Sequence, residues 1–540
     1  IGANNSGKTN VMDALRVFYE HGIKYEAGRD FPKFKTDDAE SWIDLELELT
    51  EAEYASLKED YRQPGNRTKV RKYLATDKTG SDGKPMKGIY AYVGDKLSDQ
   101  HFYGAKNVQE GKLGEVIHIP AVSRLDDHTK LTGPSALRDL VDDIVKKVLK
   151  SNVTFNTLTQ QFSELGTTIK ADATPDGRSI AQLEQDINEN ISEWSAEFQL
   201  VINPINEDQI VKNLVDVRIF DTELSECVQT AQCGAGFQRS LIFTLIRTAA
   251  AYQATPATSA KKDFTPQMTL LLFEEPEAFL HPTQQTVLRR SLQALSALGT
   301  TQVLVSSHSP QFVSHSTDDL PSIIRLARVD ARTQVGQVTA DGLSGLFADN
   351  LQMNELLRGH RRYAAEADDW REDMELVKYF LWLDPERCGM FFARHVLLVE
   401  GPTERALIYT LIDEGLIEPP KGGVFVLDCI GKFNLHRFMN LLRLLRVEHS
   451  VLFDEDGDDG THQQITKFIK QSKNEYTRGF QTFTIDIETF LGIPRANRSH
   501  RKPQHVMLKY REGAIPKDRL NEMCAFLNKL IGSAAPPPAA

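Results

Sequence analysis

The sequence predicts an α/β protein of two successive units, a larger one over residues 1–350 and a smaller one over residues 391–532. Three observations carry this. Residues 221–324 alternate apolar strand-like runs with helical periods, the pattern of a parallel sheet. A second alternation of the same kind follows over residues 395–453. The 540 residues are several times the ~100–200 of a single domain, and a composition of 41% hydrophobic and 26% charged residues supplies more than one core. With 63 basic against 75 acidic residues the formal charge is −12. The chain as a whole repels a polyanion, so a nucleic-acid site has to be a local basic groove or be bridged by metal ions.

Cys227, Cys233, Cys388, Cys429 and Cys524 are scattered, with no C-x-x-C and no histidine pairing at metal spacing. That argues against a disulfide framework and a zinc site and fits a reducing cytoplasm. No apolar run approaches the ~20 residues of a bilayer span, and nothing near the start resembles a secretory signal. A soluble cytoplasmic protein with no membrane partner is expected. The chain enters its first motif directly at Ile1, so the strand that normally precedes such a motif is expected upstream.

Taken in order, residues 11–18 read as a helix and residues 41–49 alternate apolar and polar side chains as a half-buried antiparallel strand does. Residues 62–114, rich in Lys, Gly, Asp and Tyr with short alternating pieces, read as hairpins. Residues 133–205 carry Leu137, Leu140, Val141, Ile144, Val145 and Val148 at helical spacing, a helical insertion expected to make oligomer contacts. Helix 238–252, strand 268–273, helix 283–298 and strand 302–306 complete the first unit. A charged helical connector spans 351–390. The second unit reads as strand 395–399, helix 403–414, strand 424–427, helix 434–445 and strand 450–453. The Ala/Pro-rich residues 533–540 read as a flexible tail.

Two constellations carry chemistry. Gly2-Ala-Asn-Asn-Ser-Gly-Lys-Thr9 fits G-x-x-x-x-G-K-[ST]: the amides of a loop through Asn5, Ser6 and Gly7 cradle phosphates, Lys8 reaches the outer phosphate oxygens and the Thr9 hydroxyl binds Mg²⁺, with the following helix adding its N-terminal dipole. ATP is the expected nucleotide. Thr269-Leu-Leu-Leu-Phe-Glu-Glu-Pro-Glu277 is an apolar strand ending in two carboxylates, placing Glu274 on the Mg²⁺ and Glu275 beside the attacking water as general base. His308 follows the strand 302–306, where it can contact a terminal phosphate. The order of P-loop, Gly234-Ala-Gly-Phe-Gln-Arg239, paired acids, Glu277-Ala-Phe-Leu-His-Pro282 and switch histidine resembles ABC-type ATPase heads. The resemblance implies that Gly236 and Gln238 close on the nucleotide of a second head. Here the usual Leu-Ser-Gly-Gly-Gln is only loosely matched, which weakens that assignment.

The second constellation begins at His395-Val-Leu-Leu-Val-Glu-Gly-Pro-Thr-Glu404, an apolar strand ending in Glu400 with Glu404 four residues on. Ser450-Val-Leu-Phe-Asp-Glu-Asp456 ends another strand in Asp454-x-Asp456. Acids gathered at one sheet edge repel one another, which makes divalent cations their natural partners. The arrangement resembles a TOPRIM domain. Together with an upstream ABC-type head it resembles the OLD (overcoming lysogenization defect) family nucleases, whose phrases Phe-Glu-Glu-Pro-Glu-Ala-Phe-Leu-His-Pro and Leu-Val-Glu-Gly-Pro-Thr-Glu are similar to those here.

That resemblance implies phosphodiester hydrolysis of DNA with two Mg²⁺ or Mn²⁺ ions, gated by the ATPase and used in anti-phage defence. Glu400, Glu404, Asp454 and Asp456 are the implied ligands, Glu488 a further acid, and Lys502 the cation for transition-state charge. Asp428 reads as structural or substrate-facing. His436, Arg437, Arg443 and Arg446, with Arg495, Arg498, Arg501, Lys502, Lys509 and Arg511, are the candidate phosphate groove. The implied partners are DNA, a homodimer or tetramer formed through the heads and the insertion, and a helicase-like protein or a reverse transcriptase with its DNA. The alternative is an ATP-driven DNA-binding or repair protein whose TOPRIM-like domain does not cut.

Overall fold

The computed structural model describes residues 1–20, 22–80, 83, 85–103, 113–121, 153–191, 197–200, 218–228, 232–253, 268–297, 299, 301–313, 320–360, 365–457 and 460–532. Part of the expected insertion, including the run from Leu137 to Val148, and the expected tail lie outside the described residues; the described part of the insertion contains the helices Val153–Ala171 and Ile180–Ile191.

In the first unit, Ser41–Glu48, Arg67–Ala75, Gly88–Val93 and Lys96–His101 form an antiparallel meander. Beside it lies a parallel sheet in the order Glu115–Ile119, Thr269–Glu274, Thr301–Ser306. The central strand is apolar on both faces because both are covered. Leu270 and Leu272 pack with Met12 and Phe18 of the helix Lys8–Phe18 and with the meander, whereas Leu271 and Phe273 pack with Ile242, Phe243, Leu288 and Leu292 of the helices Ala235–Gln253 and Pro282–Ser296. Each such side chain contributes roughly 1.5–3 kcal/mol of burial, enough to hold the strand's polar end in place. Among the described residues no helix is long and apolar enough to cross a membrane.

Two strands absent from the sequence expectation follow, Ile324–Val329 and Arg332–Gln337, paired as an antiparallel ribbon. The helices Ala340–Leu356 and Glu372–Trp382 come next, and then a fully parallel sheet in the order Phe425–Asp428, His395–Val399, Glu448–Asp454, Thr477–Phe483. Alternate residues again serve opposite faces: Val396, Leu398, Val451 and Phe453 enter one core, Leu397, Val399 and Leu452 the other. The first strand lies between the second and the third, so the chain's direction of travel across the sheet reverses there. Such a reversal opens a crevice at the carboxyl ends of the strands.

The connector does not float between the units. Phe347, Met353 and Tyr379 from its two helices share one core with Phe438, Leu441 and Leu442 of the helix Leu435–Leu444. A buried polar network crosses the same seam. The Arg437 guanidinium donates to both Glu375 carboxylate oxygens, Asn350 donates to Glu375 and to the Tyr379 hydroxyl, and Asn440 donates to the Asn350 side-chain oxygen. His436 is buried against the Asn350 carbonyl and Arg443 pairs with Asp349. The expected phosphate groove therefore does not extend to His436 and Arg437: packing of this helix between the connector and the sheet turns those two side chains inward, whereas Arg443 stays partly exposed.

Burial alone would raise the Glu375 carboxyl, but the bonded Arg437 guanidinium and the nearby Lys378 outweigh it and hold it below the ordinary glutamate value. Glu375→Ala strands Arg437 in the core and is expected to cost about 3–5 kcal/mol, read as a lower urea midpoint of the full chain. Because the native carboxyl is depressed, the wild-type contribution is complete above the unfolded value of about pH 4.3 and is lost as pH falls through the native value.

Candidate functional sites at two sheet edges

In the first unit the Lys8 ammonium folds back on its own loop, 3.0 Å from the carbonyls of both Gly2 and Ala3. Ser6 is buried with its hydroxyl unpartnered among the described residues, while Asn5 and Thr9 are exposed. Glu274 closes the central strand, nearly buried, with Oε1 3.0 Å from Nε2 of His118 on the neighbouring strand. Glu275 leaves the strand in a left-handed conformation at φ 42°, with its amide donating to the Ser306 carbonyl at 2.8 Å. Its Oε1 lies 3.4 Å from His308 Nε2. The His308 amide donates to Glu277 Oε1 at 2.6 Å. Burial, then the Lys8 charge, lower the His308 imidazole against the pull of Glu275 and Glu277, and burial lowers Lys8 against the same two acids.

The structure thus brings Lys8, Glu275, Glu277 and His308 into one electrostatic cluster, with Glu274 at the strand end beside it. Gly236 is brought instead to the turn at Phe279 and Leu280, and Gln238 donates to the Cys233 carbonyl. Phe279, at φ 66°, and Phe237 stand exposed there. A cavity of about 510 Å³ beside Lys8 is walled largely by apolar side chains, among them Val11, Val303, Leu304 and Leu326, and among the described residues no acid lines it.

The second site stands at the switch point of the parallel sheet. Glu400 follows its first strand and accepts the Asp454 amide at 3.3 Å. Glu404, in the first turn of the helix Pro402–Asp413, accepts the Gly401 amide at 3.1 Å. Asp454 closes the third strand, with Oδ2 2.6 Å from the Lys502 ammonium and Oδ1 buried without a partner among the described residues. Lys502 is also 3.9 Å from Glu404. Asp456, at φ 61°, meets Lys432 Nζ at 3.1 Å and His462 Nδ1 at 3.2 Å.

Burial and then mutual repulsion push Glu400 up to about 8 and Glu404 to about 7. Burial pushes Asp454 to about 6, with Asp456 and Asp486 adding to the rise and Lys502 opposing it. Burial works to lower the Lys502 ammonium, but Asp454 and Glu404 outweigh it and raise it.

Among the described residues no three of these groups stand at metal-ligand spacing; Lys502 stands where they converge. The donor set nonetheless fits a hard divalent cation. It is all carboxylate, its acids are destabilised by one another, and Asp454 keeps an unsatisfied oxygen. Glu488 is not part of this set: it is buried and accepts the Ala496 amide at 2.7 Å. Asp486, two residues earlier, is the acid whose charge reaches Asp454. Asp428 turns back to the Ile430 amide at 2.8 Å. Lys432 escaped the sequence reading. The available signal was its place in the loop after a strand flanking the Glu400 strand.

Fold and sites define a P-loop ATPase joined to a TOPRIM domain. Residues 1–313 match the AAA ATPase domain family, to which the chain belongs. Residues 391–456 match the family described as overcoming lysogenization defect protein-like, TOPRIM domain. The chain is 22% identical to the Old nuclease of Escherichia phage P2 over 84% of its length and 73% of that protein. It is 22% identical to Endonuclease GajA of Bacillus cereus over 98% of its length and 82% of that protein. With an OLD nuclease of Thermus scotoductus it shares 27% identity over 46% of each chain.

Glu277 holds the His308 loop by one short bond. Glu277→Ala is expected to lower ATP turnover about 10²-fold, the scale of a misplaced catalytic group, with nucleotide affinity within a few-fold of wild type, as read by steady-state hydrolysis and equilibrium binding.

Proposed function

We propose that the chain is an ATP-gated, divalent-metal-dependent DNA endonuclease. The observation that carries the reading is the convergence of Glu400, Glu404 and Asp454, all raised by burial and by neighbouring acids, on Lys502 at the switch point of a parallel sheet. The names of the relatives at the level of the whole chain support it. Glu400, Glu404, Asp454 and Asp456 hold Mg²⁺ or Mn²⁺. The bound cation supplies an activated water and neutralises phosphate charge. Lys502, high in pKa and fixed at the head of its helix, remains protonated and faces the charge that builds on the phosphate. Arg498 and Arg501, exposed on the segment that delivers Lys502, lie along the path of the DNA backbone, and Lys432 and His462 orient Asp456.

In the head, the loop from Asn5 through Gly7 binds the phosphates. Lys8 exchanges its carbonyls for phosphate oxygens, and Thr9 and Glu274 hold Mg²⁺, with His118 fixing Glu274. Glu275 accepts the proton of the attacking water, and His308 contacts the terminal phosphate. Gly236 and Gln238 act on the nucleotide of a second copy, a reading supported by the exposed Phe237 and Phe279 beside them. A nuclease restrained by nucleotide state suits defence against invading phage DNA.

The test is cleavage of supercoiled and linear DNA by the full chain with Mg²⁺ or Mn²⁺, with and without ATP. Asp454→Ala is expected to lose more than ~10²-fold of cleavage, since even outer-shell partners of a metal are worth 10–100-fold, while retaining ATP turnover. Lys8→Ala is expected to abolish nucleotide binding and with it any response of cleavage to ATP. Cleavage unaffected by Asp454→Ala sinks the TOPRIM assignment; DNA binding without cleavage under every condition favours the non-cutting alternative.

A further inference from the structure

We infer that the ribbon formed by Ile324–Val329 and Arg332–Gln337 carries the nucleotide state of the P-loop to the TOPRIM domain, with Thr333 and Arg325 as the positioning residues at its two ends. This rests on the reading that ATP gates the TOPRIM site, and it names the part through which gating passes.

One side of the ribbon is bonded to the phosphate loop. The Leu326 amide donates to the Ile1 carbonyl at 2.8 Å and the Ile1 nitrogen donates to the Ile324 carbonyl at 2.7 Å. The Thr333 hydroxyl donates to the Ser6 carbonyl at 3.1 Å. Gly2 sits so close that a Cβ there would lie 2.2 Å from the Leu326 carbonyl oxygen, a hard contact that transmits displacement without slack.

The other side is bonded to the TOPRIM lobe. Arg325, 5% exposed, spreads its guanidinium over four backbone carbonyls: Nε to Phe391 at 3.0 Å, Nη2 to Ala393 at 2.9 Å, and Nη1 to Arg446 at 2.9 Å and Leu445 at 3.3 Å. Burial lowers it to about 10. An apolar side chain would join two lobes without desolvating a charge, whereas a rigid five-donor fork fixes their relative orientation. Gly336 makes the same junction by close approach, since a Cβ there would lie 2.4 Å from the Leu445 carbonyl oxygen.

The loop's observed arrangement is one that a phosphate ligand would displace. In it, the Lys8 ammonium satisfies the Gly2 and Ala3 carbonyls. Once phosphate takes Lys8, those carbonyls lose their partner, and the segment pressed against Leu326 must resettle. A ligand that favours one arrangement biases whatever is rigidly joined to it.

The experiment is hydrogen exchange on the full chain, with and without Mg²⁺ and a non-hydrolysable ATP analogue, in wild type, Gly336→Ala and Thr333→Val. Wild type is expected to gain protection at residues 1–9 and to change exchange at residues 443–447. Both variants should keep the first response and lose the second by about five-fold or more, the lower end of ordinary coupling. An undiminished response at 443–447 in the variants overturns the inference, as does protection of the wild-type P-loop with no change there. Absence of protection at residues 1–9 in wild type overturns the ATP-site reading and the inference with it. If Gly336→Ala fails to fold, Thr333→Val, which only removes one hydroxyl bond, decides alone.

Discussion

Repulsion among buried carboxylates is the constraint on which the second half of this molecule depends. Glu400 and Asp454 come to one edge because each follows or closes a buried, largely apolar strand, and Glu404 joins them from the first turn of the helix that follows. The cost of burying them, and then of gathering them, is visible in how far each carboxyl is raised. Lys502 reduces that cost from the head of a helix, while Lys432, from a loop, pairs with the neighbouring Asp456. Loop 428–434 does more than present Lys432: its Gly431 amide donates to the Glu400 carbonyl at 2.7 Å, so one short segment ties together the ends of the two acid-bearing strands.

The head and the TOPRIM lobe are not independent bodies joined by a linker. Val313, Leu320, Ile323 and Val338, which flank the ribbon, share a core with Val396, Leu398 and Phe453 of the TOPRIM sheet. The Glu375 and Arg437 network lies within that core and the Arg325 fork at its margin. A continuous apolar core supplies cohesion without direction. The charged groups inside it admit few geometries, because each unmade hydrogen bond leaves a buried polar group unsatisfied. That combination suits two lobes whose relative placement has to be reproducible.

Much of this was legible in the sequence, and the limits have physical causes. Strand ends were readable because buried parallel strands are continuous apolar runs, so Glu274, Glu400 and Asp454 stood out as the first charges after them. Glu488 and Asp486 both follow the strand Thr477–Phe483 and begin the same short helix; only the turn of the chain decides which faces the site, and no residue pattern encodes that turn. The ribbon was missed because Ile-Arg-Leu-Ala-Arg-Val carries arginines where a buried strand is expected to be apolar. Arg325 is nonetheless buried because four carbonyls of another lobe receive it. Arg437 shows the same ambiguity in reverse: a basic helix face reads as a solvated groove unless the facing acid, Glu375, is known to be packed against it. The helical insertion was legible as periodicity alone.

The two sites share a device of opposite sign. In each, a lysine rests on oxygen atoms that belong to the binding site itself: Lys8 on the carbonyls of its own loop, Lys502 on Asp454. At the P-loop the proposed ligand is an anion, which would draw the lysine away from neutral carbonyls. At the TOPRIM edge the acids favour a cation, for which Asp454 keeps its unpartnered Oδ1 while Lys502 rests on Oδ2. Each lysine thereby balances its site while no ligand is bound. At the P-loop the segment Lys8 rests on is pressed against a ribbon that reaches the other lobe. The proposed coupling of nucleotide to the TOPRIM edge therefore runs through that contact, and linkage makes it reciprocal between the two binding equilibria.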